Sequence, residues 1–230
     1  MYMPPQFNAK DAAHARTLIR ENPFASLITN DDDGLPYVTH LPLHLLPAAE
    51  AGASGEPATE TPEMLLLGHV ARPNPHWRYL LARPRSVVTF LGPHAYMSPS
   101  VYPDLARVPT WNYLAVHCTV QAQVIESFED TDALLKHLIA DHEPAYAQQW
   151  RDLGEEFAQK MVRGIVPFTL RVTQLQCKLK LNQHRPESHA AMHTIYAAGN
   201  DDQRALAEWM QRLGMLPTGD APATPAPPAP

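Results

Sequence analysis

Cysteine is scarce: Cys118 and Cys177 are the only two in 230 residues. Two are too few for a disulfide framework, so both read as reduced thiols on strands. Long apolar runs are missing as well. Nothing approaches the ~20 residues that a bilayer-spanning helix needs, so no membrane association is expected. The opening stretch MYMPPQFNAKDAAHARTL lacks the basic-then-apolar order of a signal peptide, which makes the cytoplasm the expected compartment. Cations are in deficit too. With 18 Lys+Arg against 24 Asp+Glu the formal net charge is −6, whereas nucleic-acid binding usually shows as a basic face that displaces counterions from phosphates. That balance weighs against DNA binding as the main activity. No GxGxxG follows the first strand, which disfavours a Rossmann cradle. No internal repeat is visible, and no nucleophile stands beside a partnered base.

What is present is an ordinary soluble composition, 45% hydrophobic, in a chain long enough to bury a core. Asn8 can cap a helix over 9–20 that buries Leu18 and Ile19 and stops at Pro23. Strands over 24–29 and 35–43 flank a tight Asn-Asp-Asp-Asp-Gly turn. Residues 47–62, small, polar and Pro/Gly-bearing, read as a flexible hairpin loop. Strands follow over 64–70, 86–91 and 113–125, the last placing Leu114, Val116, Cys118 and Val120 on one face. A short helix from about Asn74 to Leu81 lies between the first two of these. Helices are expected over 132–142 and 155–161, a long strand or pair over 165–181, and two helices within 186–215. The order predicts an α+β fold, a barrel-like sheet with flanking helices, rather than a doubly wound one. Residues 1–216 form the expected single domain, and the Pro/Ala-rich tail over 217–230 has no apolar anchor and should be disordered.

One segment is unusual: Val87 to Tyr113, reading VVTFLGPHAYMSPSVYPDLARVPTWNY. Prolines fix φ and so hold the aromatic, amide and hydroxyl side chains between them in few orientations. A long aperiodic loop in a compact domain usually binds something. The physics points to a pre-formed site for a flat ligand.

The same segment carries a resemblance, together with Thr39-His40-Leu41-Pro42, Gly68-His69-Val70-Ala71-Arg72-Pro73-Asn74-Pro75 and Lys178-Leu179-Lys180-Leu181-Asn182-Gln183. In this order the four segments resemble the FMN-binding negative transcriptional regulators (PaiB-like). The resemblance spans roughly Met1 to Leu213. It implies the FMN-binding split β-barrel of pyridoxamine-phosphate-oxidase-like proteins, a homodimer with FMN between subunits, and DNA as a possible partner. The chain departs from the family at Val101, where an aromatic is usual, and at Asn182, where a hydroxyl residue is usual.

FMN needs cationic or hydroxyl donors for its phosphate and an aromatic wall with donors for its ring. Arg72, just beyond a strand end, is the first choice for the phosphate and Asn74 the second donor; a surface Arg paired with a carboxylate is the plain alternative. Lys178 and Lys180 share one strand face, which is usually solvated but also suits an anion. The resemblance draws Lys180, Asn182 and Gln183 toward the site. Thr39 and His40 end a strand, and the strand of His69 is expected to neighbour it; the two histidines could donate to a flavin oxygen or bind a substrate phosphate, or remain hydrogen-bonded structural residues. Trp111 and Tyr96 could stack on the ring, and Ser98, Thr110 and Asn112 could bond its edge, against the usual fate of such aromatics as core filler. His189 and His193 share a helix face, but the Glu of a metalloprotease pattern is absent, so no metal is expected and both read as exposed. Two functions follow. The first is a regulatory FMN-binding protein, a negative transcriptional regulator by resemblance. The alternative is a flavin-dependent oxidoreductase, in which the cofactor carries the chemistry and no catalytic dyad is required.

Overall fold

The computed structural model describes residues 1–46, 64–104 and 106–216; the expected loop over 47–62 and the tail over 217–230 lie outside them. The chain divides into two compact units. One holds Met1, Ala9–Gly92 and Ala115–Cys177; the other holds Tyr2–Asn8, Pro93–Leu114 and the chain from Lys178 onward.

In the first unit helix α1 spans Ala12–Glu21. Its cap is Asp11, whose carboxylate accepts from Ala13 N at 2.8 Å, and not the expected Asn8. Asn8 is in extended backbone and pairs with Lys178 within the second unit, so it is unavailable to start a helix. Leu18 and Ile19 are buried as expected. Strands β1 (Phe24–Asn30) and β2 (Pro36–Pro42) form an antiparallel hairpin in register from Phe24↔Pro42 to Asn30↔Pro36. Its turn is closed by Asp31 Oδ1, which accepts from Asp33 N at 3.0 Å and Leu35 N at 2.9 Å. Gly34 supplies the positive φ of 81°.

The remaining elements are β3 (His44–Leu45), β4 (Leu65–Ala71), α2 (His76–Ala82), β5 (Arg85–Met97), β6 (Thr110–Val124), α3 (Phe128–His142), α4 (Tyr146–Asp152), α5 (Glu155–Arg163), β7 (Ile165–Lys180), α6 (His189–Ala197) and α7 (Asp201–Arg212). The strands make one seven-stranded sheet in the order β2-β1-β5-β6-β7-β4-β3. The class is therefore α+β, with no crossover helix between parallel strands. β4, the strand of His69, pairs with β3 and β7, so it is not hydrogen-bonded to β2, the strand of His40. Helix α3 starts four residues earlier than the sequence indicates, because Ser127 caps it by accepting from Asp130 N at 3.0 Å. Helix α4 has no counterpart in the sequence reading. It has no capping side chain and no buried residue, so it lacks the signals by which helices are recognised.

The aromatic segment is less of a loop than its prolines imply. β5 continues to Met97 and β6 resumes at Thr110. Both Gly92 and Pro93 are buried, so the in-out alternation slips by one residue there and then continues, with Ala95 in, Tyr96 out and Met97 in. A strand accepts proline at such an irregularity because no ladder N–H is needed there. Between the two strands a 3-10 turn spans Pro99–Val101, and Val101 is buried at 5% exposure.

The core of the first unit is built from Leu27, Leu43, Leu66, Phe90, Val116, Cys118 and Phe168. Burial pushes the Cys118 and Cys177 thiols up to about 12, so both are unreactive thiols packed on strands. Gly68 is closely surrounded in this core: a Cβ there would meet Leu43 Cδ2 and lie 3.3 Å from Phe168 Cε2. Overpacking of this kind typically costs ~1–3 kcal/mol. Gly68→Ala should therefore lower the melting temperature by several degrees in a thermal scan; an unchanged Tm would mean that Leu43 moves aside freely.

The second unit packs α6 and α7 around Tyr196, Met192, Leu206, Trp209 and Met210, together with Met97 and Leu114. Helix α7 starts in a reciprocal cap: Asn200 accepts from Gln203 N while the Gln203 side chain accepts from Asn200 N, both at 3.0 Å.

Candidate functional site

The expected residues fall into two sets, each within one unit. Thr39, His40, His69, Arg72 and Asn74 belong to the first; Tyr96, Ser98, Thr110, Trp111, Asn112, Lys180, Asn182 and Gln183 belong to the second.

In the first unit the pleat of β2 turns Tyr37 and Thr39 inward and Val38 and His40 outward. Pro73 and Pro75 hold Asn74 at the start of α2, where it donates to Thr39 Oγ1 at 3.2 Å and accepts from His76 N at 3.0 Å. His76, fully buried, closes the network. Its Nδ1 lies 2.7 Å from Thr39 Oγ1 and its Nε2 3.1 Å from Thr29 Oγ1, which in turn meets Ser86 Oγ at 2.7 Å. Burial pushes the His76 imidazole down to about 4. Thr39 and Asn74 are thus brought together, but as members of a satisfied internal network. His40 is exposed, bonds Ser26 Oγ through Nδ1 at 3.0 Å and stacks beside Phe24. His69 is half-buried, and burial first, then His44, lowers its pKa. Arg72 donates from Nε to Arg163 O at 2.6 Å and from Nη2 to Ile165 O at 2.9 Å. It braces the end of β4 to the start of β7 and, among the described residues, pairs with no carboxylate.

In the second unit the outward faces of β5 and β6 carry three rings. Trp111 lies 6.3 Å from Tyr96, edge to face, and 6.4 Å from His94. Trp111 is 55% and Tyr96 49% exposed, so neither is core filler. Lys180 Nζ donates to Thr110 Oγ1 at 2.6 Å and to the Trp111 carbonyl, which ties one cation to the rim of this platform. Lys178 differs from the expected solvated face: it is buried, donates to Tyr2 O at 3.2 Å, and sits 5.1 Å from the centre of the Tyr113 ring, which Lys180 approaches at 5.8 Å. Burial, then Lys178, lowers the Lys180 pKa. Among the described residues neither lysine pairs with a carboxylate.

Four expected contacts point elsewhere. Asn112, next to Trp111, occupies the inner face of β6 and is fully buried, donating to Tyr196 Oη at 2.9 Å and Met192 Sδ at 3.1 Å. Asn182 has a φ of 63° and donates to Tyr102 Oη and Ser188 Oγ, both at 2.8 Å. Asparagine tolerates this left-handed turn better than most residues, which gives a backbone reason for its presence. Gln183 accepts from Leu181 N at 3.0 Å and also bonds Leu179 O, and Ser98 caps the 3-10 turn through Ser100 N at 3.2 Å. His189 is not exposed either: its two ring nitrogens lie 3.0 Å from Met215 O and 3.1 Å from Asn182 O. Neither His76 nor His94 is among the residues expected from the sequence. His76 had a usable signal, a polar ring two residues after Asn74 at the start of an apolar helix.

The comparisons with known proteins decide the family. Residues 1–174 match the family described as "Putative FMN-binding domain". The chain belongs to this family. It is 31% identical over 218 residues to the Bacillus subtilis "Protease synthase and sporulation protein PAI 2", covering 92% of this chain and 97% of that protein. Among solved structures it is similar to the flavocytochrome Anf3 from Azotobacter vinelandii, with a TM-score of 0.54, 13% identity and coverage of 76% of this chain and 70% of that one. It is also similar to the FAD and heme binding protein from Mycobacterium smegmatis, with a TM-score of 0.51, 15% identity and coverage of 75% and 73%. The fold is the flavin-binding split barrel with flanking helices, and FMN is the cofactor of the family. An exposed pair of flat rings with a fixed ammonium at its rim fits a flat, anionic group of this kind.

His76 has a testable signature. Its native pKa lies below the ordinary 6.5, so the native state binds fewer protons and stability is full above pH 6.5. It falls as pH drops from about 6.5 through about 4, by on the order of 3 kcal/mol from this group. Urea midpoints measured from pH 7 to pH 4 should decline, and the decline should be shallower in His76→Gln. Parallel curves for the two proteins would remove His76 as the cause.

Proposed function

We propose that the protein is an FMN-binding regulatory protein, a negative transcriptional regulator of the PaiB-like type. The observation that carries the cofactor half is the exposed Tyr96–Trp111 platform with Lys180 bonded to Thr110 Oγ1 and the Trp111 carbonyl. Such a surface offers stacking area and a positioned cation without further rearrangement. The regulatory half rests on similarity to PAI 2, whose name ties it to protease synthesis and sporulation. In this reading Trp111 and Tyr96 face the isoalloxazine, Thr110 bonds its edge, and Lys180 supplies charge toward the phosphate. Bound FMN would supply a redox-active ring; the chain's own part is to bind and orient it.

Flavin-dependent oxidoreduction is the second reading. The half-exposed rings favour it, because an open face leaves room for a second substrate, and FMN chemistry needs no acid–base dyad. A homodimer is also proposed, supported by the large apolar side chains Val87 and Leu91 on the outer face of β5. A cytoplasmic location is proposed as well; among the described residues no helix is long and apolar enough to cross a membrane. Direct DNA contact has little support from a net charge of −6.

Purified protein should be yellow or become so on adding FMN; a colourless protein that takes up no FMN overturns the cofactor reading. Trp111→Ala and Lys180→Ala should each weaken FMN binding about tenfold or more, the worth of one stacked ring or one charge-assisted bond, as read by flavin fluorescence titration. Arg72→Ala should leave that affinity unchanged while lowering Tm, because its bonds are to backbone carbonyls. The reverse pattern would move the phosphate to Arg72. Sustained NADH or NADPH oxidation by the FMN-loaded protein would select the oxidoreductase reading.

A further inference from the structure

A cleft of about 550 Å³ lies wholly within the first unit, bounded by α2, the turn from β6 into α3, the end of α5 and the start of β7. From its chemistry we infer a second ligand site, one that takes a small aromatic or similarly compact organic anion bearing a single negative head. The inference rests on the reading that Lys180 and not Arg72 serves the FMN phosphate; Tyr96, Thr110, Trp111 and Lys180, proposed to face FMN, are not in the lining of this cleft.

Size is the first argument. Small-molecule sites typically enclose ~300–1,000 Å³ and are mostly apolar with a few placed polar groups. Here Trp77, Leu81, Phe128 and Val162 provide the apolar wall. Leu81 is 54% and Phe128 39% exposed, although both are large apolar side chains that gain from being covered. Trp77 Nε1 donates to Arg72 O at 3.1 Å, and Phe128 opens α3 directly after its cap Ser127.

Charge is the second argument. Arg72 and Arg163 both line the cleft, and their placement is linked, because Arg72 Nε donates to the backbone carbonyl of Arg163 at 2.6 Å. Arg72 is further held by Ile165 O, and Arg163 Nη2 by Gln159 Oε1 at 3.4 Å. The lining contains a single carboxylate, Glu126, so the two guanidinium groups leave one net positive charge. Neither guanidinium is paired with a carboxylate among the described residues. A monoanionic head neutralises this balance; a neutral ligand does not, and guanidinium suits carboxylate or sulfonate oxygens.

The test uses two fluorescent probes of nearly the same shape, 8-anilinonaphthalene-1-sulfonate, whose sulfonate stands for the anionic head, and uncharged N-phenyl-1-naphthylamine. Titrated into the FMN-saturated protein, the sulfonate should bind saturably at one site per chain, at least tenfold more tightly than the neutral probe. Arg163→Glu should weaken the sulfonate tenfold or more and leave the neutral probe within about twofold, while Leu81→Asp should weaken both. Tm and FMN uptake, measured on each variant, should match the parent protein, which separates loss of the site from loss of fold. Equal affinity for the two probes, or insensitivity of the sulfonate to Arg163→Glu, would overturn the inference. So would displacement of the sulfonate by FMN one for one, which would make this cleft the flavin's own.

Discussion

The period-two pleat of the long strands governs everything at the candidate site. Side chains alternate across a sheet, so each strand supplies one residue to the core and the next to the surface. Trp111 is outside because Asn112 is inside, and Tyr96 is outside because Met97 is inside. A one-residue slip would bury the platform and expose the amide that holds Tyr196. The slip that does occur, at Gly92 and Pro93, is what brings Tyr96 to the same outward face as Trp111. Proline, which reads in sequence as a loop signal, is the residue that resets the register.

The same logic sorts the polar residues. A buried amide or hydroxyl without a partner is costly, and the polar side chains of these segments pair with one another before any ligand is considered. Thr39 and Asn74 are consumed by His76, Asn182 by Tyr102 and Ser188, and Gln183 by its own turn. Their work is to fix backbone that carries other groups. Asn112 Oδ1 is buried without a partner among the described residues, and lysines 178 and 180 stand apart in another way. They share the ring of Tyr113 and, among the described residues, have carbonyl and hydroxyl acceptors only; burial first, and then the charge of Lys178, lowers the pKa of Lys180. A like-charged pair of this kind is what a bound anion relieves.

Arginine 72 illustrates how a local reading and a tertiary one can differ. Its position after a strand and before proline suits a phosphate, and nothing nearby in sequence competes for it. The competing groups are the carbonyls of Arg163 and Ile165, more than ninety positions away. Their proximity follows from β4 pairing with the start of β7, a pairing that no local pattern announces. The family and the α+β class were legible because four motifs and the apolar alternation are local properties. Helix α4 and the start of α1 were not, one for want of caps and the other because Asn8 is held by Lys178.

From the sequence alone came the kind of protein: its FMN-binding family, its strand-rich class, its unpaired thiols and the segment that displays the aromatic platform. These depend on residue type and short spacing, which the chain carries wherever it folds. Only the tertiary structure decided which candidate residues face outward, which cations are spent as braces, and that two arginines share one apolar cleft. Those outcomes depend on strand register and on partners distant in sequence. Hydrogen-bond satisfaction in a buried network is settled only once all its members are in place.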